Sequence, residues 1–540
     1  MGLVSFVKNL LRKGGAKLGM VDQLGSILDH PKIDMDAGEY DRIAADRRYF
    51  EGDFKPIHYL NTEHQLKKRP YVSLNMLQVI CRRMASLLYN EQAKITVDTS
   101  NSSGDSDDAK ADIKDAANDF VQKVLGDNDF NKNFEYYLES CLALGGLAIR
   151  PYVDPVTKSI KLAWAQAPTF YPLKANTNNV SSAAIATHSE RTENGSQAYY
   201  TLLEFHEWRA DQYTITNELY RSDSKTSVGE RVPLGDIYPD LAETANLDTS
   251  VFTRPLFVYL KPAGFNNRNL SSPLGVGIAD NARNTLRQIN DTYDQFNWEV
   301  KMGQRRVLVP ESTTQTFQTT TKDGKEQLEQ VFDPDQNVFI KANLGMDNDT
   351  ITDLTSDIRA TDYIASLNHF LKTLEMQVGL SVGTFSFDGA GGLKTATEVV
   401  SEDSQTYQTR NSHLTMVERA IQELCVSICQ LASGTVIDGQ RLYNGPLPTV
   451  DQVSVDFDDG VFTDKKATAD YWIALKTAGI VPDYVATARI LGISEKRAKE
   501  MLAEIADKTA AEVDPHEAGM FGDTDSPNGT DGQQEGGGDD

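Results

Sequence analysis

The segment that decides the fold reads Gly379-LSVGTFSFDGAGGLKTATEVVSEDSQTYQTR-Asn411. A phosphate-binding loop would need Gly-x-x-x-x-Gly-Lys-Ser/Thr, because successive backbone N–H groups cradle the phosphates while the lysine reaches them. Here Gly389-Ala-Gly-Gly392 is followed by Leu393, so that Lys394 lies one residue out of register. The sequence therefore predicts a flexible, glycine-rich loop held between two helices, without catalytic chemistry of its own.

Apolar residues recur every three or four positions on both sides of this loop. The pattern predicts a helix over about 275–302, a second over about 355–378 and a third over about 397–432. A small β insert separates the first two helices. The predicted apolar face of the first helix consists of Ile278, Ala282, Leu286, Ile289, Tyr293, Phe296 and Val300. Its predicted polar face consists of Asp280, Arg283, Asn284, Arg287, Asn290, Asp291 and Asp294.

The chain before these helices mixes shorter helices with strands. Helices are predicted over 73–90 and 130–145, and the acidic, serine-rich stretch 99–112 is expected to be an exposed loop. Strand patterns at 148–154 and 159–166, separated by a turn at Pro155, predict a hairpin, and 183–260 carries further strands. Strands and helices do not alternate in a βαβ rhythm, so the predicted fold class is α+β with antiparallel sheets.

Composition limits the possible functions. The 540 residues include 78 Asp and Glu against 53 Lys and Arg, a net charge of −25, which argues against a protein that coats nucleic acid by neutralising phosphates. Four cysteines are too few for a disulfide framework and are typical of reduced thiols in a cytoplasm. No apolar run is long enough for a transmembrane helix, so no membrane contact is expected.

Six motifs in a fixed order carry a resemblance to a known family. They are Tyr49-FEGDFKP, Leu74-NMLQVICRRMASLLYNE, Leu142-ALGGLAIRPYVD with Tyr171-PL, Ser272-PLGVGIADNARNTLRQINDTYD, Gly383-TFSFDGAGGLKTATEV and Asp456-FDDGVFTDKKATADYWIALKTAGIVP. Over roughly residues 40–508 the chain resembles the portal proteins of long-tailed double-stranded DNA phages, of the type found in phages of Gram-positive hosts.

The resemblance implies the portal fold, with a wing, a two-helix stem, a β-containing clip, a tunnel loop and a helical crown. The implied division is an N-terminal arm at 1–35, wing at 36–271, stem helix at 272–304, clip at 305–350, second stem helix at 351–379, tunnel loop at 380–396, wing again at 397–460, crown at 461–508 and a disordered acidic tail at 509–540. Between Ala511 and Asp540 there are nine Asp or Glu and no Lys or Arg, which is typical of disorder.

The resemblance also implies a function and partners. Such proteins form a ring, usually of twelve copies, at one capsid vertex of the virion, and are assembled in the host cytoplasm. Double-stranded DNA passes through the channel without sequence preference during packaging and ejection. The expected protein partners are the terminase large subunit, the head-completion (adaptor) protein, and the major capsid and scaffolding proteins. No enzymatic activity and no cofactor is implied. An ATP-dependent packaging motor or nuclease of the same phage is the alternative, which the missing phosphate-binding loop disfavours.

Two groups of residues are the candidates for the channel. The tunnel-loop candidates are Val382, Gly383, Phe385, Phe387, Gly389, Gly391, Gly392 and Lys394. The stem candidates are Arg283, Arg287, Arg305 and Arg306. The loop's glycines permit backbone excursions, and its apolar residues are expected to pack against neighbouring loops around the ring. Lys394 is the loop's one cation; it could contact phosphate, or simply pair with Glu398 one helical turn later. Arg305 and Arg306 could face DNA or complement a helix C-terminus.

Two further clusters are candidate metal sites. Cys425 and Cys429 lie four residues apart, but structural zinc usually needs four ligands, so buried thiols on an apolar helix face are the favoured interpretation. The acidic cluster of Asp456, Asp458, Asp459 and Asp464 lacks the register of an EF-hand. A solvated loop is favoured there, with cation binding left open, and no metal is predicted.

Overall fold

A computed structural model describes residues 23–60, 64–90, 93–99, 107–176, 179–193, 195–209, 212–303, 307–310, 316–320, 326–330, 339–342, 352–353, 357–385, 404–457, 465–491, 498–499, 501–503 and 505. The chain divides into two compact units, 1–458 and 459–540. Helices and strands occur together throughout the first unit, as the α+β prediction requires. Within the described residues no helix is both long and apolar enough to cross a membrane.

The helices of the first unit are α1 (Ala37–Glu51), α2 (Met76–Leu88), α3 (Asp107–Gly126), α4 (Phe130–Leu144), α5 (Arg283–Met302), α6 (Ala360–Val378) and α7 (Ser404–Gly434). Those of the second unit are α8 (Lys465–Thr477) and α9 (Asp483–Leu491). In this second unit the α9 residues Ala486 and Ala488 are buried, and Lys476 pairs with Asp483 at 3.2 Å.

The strands are β1 (Gln23–Leu24), β2 (Ile57–Leu60), β3 (Leu66–Arg69), β4 (Lys94–Val97), β5 (Leu147–Asp154), β6 (Ser159–Gln166), β7 (Phe170–Asn176), β8 (Asn179–Glu193), β9 (Ser196–Arg209), β10 (Gln212–Ser222), β11 (Gly229–Val232), β12 (Thr244–Asp248) and β13 (Val258–Leu260). After α5 come β14 (Val307–Pro310), β15 (Thr316–Thr320), β16 (Glu326–Gln330), β17 (Phe339–Ala342) and β18 (Thr352–Asp353). After α7 come β19 (Val436–Ile437), β20 (Gln440–Arg441) and β21 (Val453–Asp456).

The largest sheet is antiparallel and seven-stranded. Its order is β1-β11-β10-β9-β8-β7, with β12 also paired to β10. A second sheet, β13-β5-β6, contains the predicted hairpin in register Leu147↔Gln166 to Asp154↔Ser159. Between α5 and α6, β15 and β16 form a hairpin, while β14 pairs with β17 in parallel and with β18 antiparallel. The predicted β insert between the two helices is therefore present.

The main hydrophobic core joins the helices to the second sheet. The central helix α7 is buried along one face, where Ile421, Leu424 and Ile428 are fully buried. Helices α2 and α3 contact α7, and α2 packs on α4; Leu77, Ile80 and Met84 of α2 share this core with Phe134, Leu138 and Cys141 of α4. Leu286 and Ile289 of α5, and Leu367, Leu371 and Leu374 of α6, belong to the same core.

Three predicted boundaries differ from the structure. The first long helix begins at Arg283 instead of residue 275, after a short 3-10 turn at Asp280–Ala282. The reason is close packing: a Cβ at Gly275 or Gly277 would lie within 2.3 Å of the carbonyl oxygens of Gly145 or Ala143, and the Ile278 N–H donates to the Leu142 carbonyl at 2.9 Å. The backbone over 275–278 packs against the end of α4 and caps it, and for this reason it is not helical.

The other two boundaries concern α3 and α6. The stretch 99–112 is a loop only in part, because α3 already begins at Asp107. Helix α6 begins at Ala360. The residue before it, Arg359, donates its backbone N–H to Glu299 of α5. The third long helix runs over Ser404–Gly434, and the earlier start predicted at 397 lies outside the described residues.

Candidate functional site

The described chain contains part of the predicted tunnel loop. Val382, Gly383 and Phe385 are described, at the point where the chain leaves α6. Phe387, Gly389, Gly391, Gly392 and Lys394 lie outside the described residues, as do Arg305 and Arg306. Arg283 and Arg287 are both on α5. The geometry therefore concerns how the loop begins and how the two helices that lead to it are joined.

A buried carboxylate fixes the beginning of the loop. Glu375, in the last turn of α6, is completely buried. Its Oε2 accepts a hydrogen bond from the Gly383 N–H at 2.7 Å, and its Oε1 accepts one from the Phe385 N–H at 2.5 Å. Charge-assisted hydrogen bonds of this kind are stronger than neutral ones. The chain thus curls back over the end of α6 before it continues into the loop.

A second contact ties the same segment to α7. The Ser381 N–H donates to Thr406 Oγ1 at 2.8 Å, and the Thr406 hydroxyl donates to Ser381 Oγ at 2.9 Å. Gly379 ends α6 in the left-handed conformation, φ 76°, where a Cβ would lie 2.4 Å from Thr409 Oγ1. Glycine is needed at this position both for its backbone angle and for its small size. The loop therefore begins at a rigid junction between α6 and α7.

The two apolar side chains of this segment differ in exposure. Val382 is 60% exposed, whereas Leu380 beside it is fully buried. Phe385 is half-buried and packs against the main core of its own subunit. Part of the Phe385 surface is therefore covered within its own chain, and packing of the rest against neighbouring loops stays a prediction. Of the described loop residues, Val382 offers the most exposed apolar surface.

Helices α5 and α6 are joined near both ends. Near the end of α5, Arg359 binds the Glu299 carboxylate. Its Nε–H donates to Oε1 at 3.0 Å and its Nη2–H donates to Oε2 at 2.6 Å. Its backbone N–H also donates to Oε1, at 3.0 Å. These hydrogen bonds lower the pKa of Glu299 to about 2. The Phe296 and Tyr363 rings lie 5.2 Å apart in the same region. Near the core, Thr285 Oγ1 donates to Gln377 Oε1 at 2.8 Å.

The predicted polar face of α5 is partly buried, which corrects the sequence interpretation. Asp294 and Asn290 are each 3% exposed, because the segment 69–74 covers them. The two Nη groups of Arg69 donate hydrogen bonds to Oδ1 and Oδ2 of Asp294, each at 2.6 Å. Asp294 Oδ1 also accepts from the Val72 N–H at 3.1 Å. Burial opposes ionisation of Asp294, but the hydrogen bonds from Arg69 and Val72 outweigh it and lower its pKa. Conversely Val300, predicted on the apolar face, is 44% exposed.

The stem candidate Arg283 is engaged inside the subunit. Its guanidinium donates to Asp46 Oδ1 at 2.8 Å and also contacts Asp280, which is itself bound by Arg268 at 2.8 Å. Asp280, the third member of the predicted polar face to be buried, is 1% exposed. Burial and then the Asp280 carboxylate raise the pKa of Asp46 to about 7, against the opposing effect of Arg283. Arg287, one turn along, is exposed and can face a ligand or a neighbouring subunit.

Of the two candidate metal clusters, the structure describes both cysteines but only one of the four acidic residues. Cys425 and Cys429 are completely buried in the apolar face of α7, as predicted, and burial raises both pKa values. His413 is engaged elsewhere, because its Nδ1 accepts from the Ala263 N–H at 3.0 Å. Of the acidic cluster only Asp456 is described, in β21. Among the described residues no group of three or more His, Cys, Asp or Glu side chains could hold a metal ion.

Sequence reasoning missed the residues that hold this region together. Glu375 gave a usable signal, since it interrupts the apolar stripe of Leu371, Leu374 and Val378 just before Gly379. A carboxylate on a buried face next to a helix end suggests that it binds backbone N–H groups. Arg69 and Asp46 gave no such signal, because their partners are more than two hundred residues away in the sequence.

Comparison with known proteins gives the family. The chain resembles two solved structures: one titled as the virion of a native gene transfer agent (GTA) particle, with 10% identity and a TM-score of 0.39, and one titled as the neck of an empty GTA particle computed with C6 symmetry, with 11% identity and a TM-score of 0.38. Each covers 84% of this chain and 94% of the matched chain, but at these scores the likeness carries no argument. A search of curated proteins found no match. The family model described as phage portal protein, SPP1 Gp6-like, matches residues 29–512, and the chain therefore belongs to this portal protein family.

Proposed function

We propose that this protein assembles into a ring, of twelve copies in the closed form, at one vertex of the capsid. The channel of the ring conducts double-stranded DNA during packaging and ejection. The observation that carries the proposal is the family match over residues 29–512, which spans nearly the whole chain. The ring is built in the host cytoplasm and becomes part of the virion, and no chemical reaction is assigned to it.

In this proposal α5 and α6 form the two-helix stem. Two contacts support this assignment, because they fix the helices against each other near both ends. They are the ion pair of Arg359 with Glu299 and the hydrogen bond from Thr285 to Gln377. The strands β14 to β17, which lie within 305–350, then belong to the clip. The clip is the docking platform for the terminase large subunit and later for the head-completion protein.

The tunnel loop over 380–396 faces the channel in this proposal. The junction made by Glu375, Ser381 and Thr406 supports it, since a loop that touches moving DNA needs a firm base. Exposed Val382 begins the channel-facing surface, and Phe387, Gly389, Gly391, Gly392 and Lys394 continue it. Contacts with DNA are independent of sequence, because weak phosphate contacts and apolar surface carry no base information. The protein's negative charge prevents tight binding and lets DNA slide.

Charged residues on α5 have separate proposed roles. Arg287 is exposed and is the stem residue best placed to meet DNA or a neighbouring subunit, whereas Arg283 is engaged with Asp46 and Asp280. Arg305 and Arg306 would form basic positions between stem and clip. Outer surfaces of the ring contact the major capsid and scaffolding proteins.

A cross-linking experiment tests the channel placement. A photoreactive residue at Gly391 should form adducts with DNA in filled heads, while the same residue at Val156, a surface position 87% exposed, should not. Adducts of Gly391 with capsid or tail protein, but none with DNA, would contradict the placement of the loop. Phage carrying Lys394→Ala that packages at the normal rate would contradict only the phosphate contact of Lys394. ATP turnover by the purified protein would contradict the structural role itself.

A further inference from the structure

The β2–β3 hairpin is fixed to α5 by one of its two faces. The register of the strands puts Tyr59 and Arg69 on this inner face. The Arg69 guanidinium binds Asp294 at 2.6 Å and lies 4.7 Å from the centre of the Trp298 ring. The Tyr59 ring lies 5.6 Å from the same indole. Because these contacts occupy the inner face, the hairpin presents its other face to solvent.

The outer face of the hairpin is apolar and basic. Alternate residues of a strand point to opposite faces, so the outer face carries His58 opposite Lys68 and Leu60 opposite Leu66. All four side chains are exposed, and the two leucines, 63% and 69% exposed, are neighbours across the strands. Strands β2 and β3 contain no Asp or Glu, and neither Lys67 nor Lys68 forms an ion pair with any described residue. Two exposed leucines beside cations fit a partner that is both apolar and acidic.

The C-terminal segment of this chain has the composition of such a partner. Over residues 511–540 there are nine Asp or Glu and no Lys or Arg. Two large apolar residues of this segment are adjacent, Met520 and Phe521. Glu517 lies three residues before this apolar pair and Asp523 two residues after it. The segment therefore offers two apolar side chains between carboxylates, in a sequence that carries no cation to repel the lysines of the hairpin.

We propose that residues 509–540 dock on the outer face of the β2–β3 hairpin. The pair of Met520 and Phe521 covers the two leucines, and the flanking carboxylates face Lys68. The described residues end at Ile505, and the 35 residues that follow span up to about 115 Å when extended. Because the segment is tethered, its effective concentration is high and weak contacts suffice to hold it. Any other protein that binds the leucines must first displace this segment.

Photo-cross-linking in the full-length protein tests this contact. A photoreactive residue at His58, on the outer face beside the leucines, should form an adduct with residues 509–540. Because Lys508 is the last Lys or Arg of the chain, trypsin releases 509–540 as one peptide, and mass spectrometry identifies the adduct. The matched control is the same photoreactive residue at Val156, which is 87% exposed on the turn between β5 and β6 and should give no such adduct.

Two sets of variants separate the apolar contribution from the ionic one. Met520→Ser combined with Phe521→Ser should lower the adduct yield by about tenfold, because two apolar side chains no longer leave water. The change lies outside the described residues and leaves every residue of the hairpin in place. Lys68→Glu should lower the yield only about threefold, because exposed ion pairs are weak, and Glu517→Lys in the same chain should restore it.

The outcomes that overturn the proposal are distinct from those that concern the ring. No adduct with 509–540 from His58, or adducts that map only to other proteins or to DNA in filled heads, would overturn it. An unchanged yield after Met520→Ser with Phe521→Ser would do the same. None of these results bears on the proposed function, because the docked segment is not part of the channel; absence of rings from the unmodified protein would overturn that function instead.

Discussion

Single residues that pair across long distances in the sequence determine how α5 is held. Asp294 shows this best, because its carboxylate accepts from both Nη atoms of Arg69 and from the Val72 N–H while only 3% of it is exposed. Replacing Asp294 leaves a guanidinium and an N–H group without their acceptor. A group of this kind that loses its partner costs far more than a surface ion pair.

We therefore expect Asp294→Ala to destabilise the protein by about 2–4 kcal/mol. The matched control is Asp291→Ala on the same helix, which removes the exposed hydrogen bond from Tyr71 and should cost below about 1 kcal/mol. Thermal unfolding followed by circular dichroism measures both. Equal shifts of the two midpoints would contradict the structural role assigned to the Arg69–Asp294 pair.

Asp46 predicts an unusual pH dependence. Its folded-state pKa is raised to about 7 by burial and by Asp280, against an unfolded value of about 3.9. Because the folded state binds the proton more tightly, the contribution of Asp46 is complete below about pH 4 and is lost as the pH rises through 7. Asp46→Asn should thus cost less stability at pH 8 than at pH 5, by up to about 2.7 kcal/mol. An opposite sign in urea unfolding at the two pH values would show that the ion pair with Arg283 dominates instead.

At the scale of elements, much of the architecture was predictable from local patterns. The apolar stripe through Leu367, Leu371 and Leu374 predicts α6, and alternation predicts the β5–β6 hairpin, because each pattern reports one buried face. The β2–β3 hairpin and the burial of Asp280, Asn290 and Asp294 were not predicted. Their causes lie in segments 40–75, far away in the sequence, and periodicity cannot distinguish a polar residue that faces solvent from one that faces a buried partner.

The start of α5 gives the element-scale prediction. Gly277 approaches the end of α4 so closely that a Cβ would lie 2.2 Å from the Ala143 carbonyl oxygen. Because the obstacle is backbone, Gly277→Ala must displace either α4 or the turn before α5. We expect a loss of several degrees in the unfolding midpoint, consistent with the 1–3 kcal/mol typical of overpacking. Gly235→Ala, where a Cβ would meet nothing within 4 Å, is the control and should unfold at the wild-type temperature.

The candidate site shows the same division between local and distant causes. The glycine-rich segment is recognisable in the sequence because the composition changes abruptly between two helical patterns, and the loop over 386–396 stays a prediction. The junction that holds it, with Glu375 bound to the N–H groups of Gly383 and Phe385, depends on a turn whose path no local pattern determines. The link from Ser381 to Thr406 spans two helices and was likewise not predictable.

At the scale of the whole molecule, the chain belongs to the phage portal protein family, and we propose that it assembles into a ring. In the proposed function, the net charge of −25 keeps the channel from binding phosphates tightly.

Electron microscopy of the purified, full-length protein tests this central claim most directly. Class averages should show closed rings with cyclic symmetry and an open central channel that admits duplex DNA, with twelve subunits as the expected number. A population of compact monomers at micromolar concentration, or closed particles without a central channel, would contradict the account.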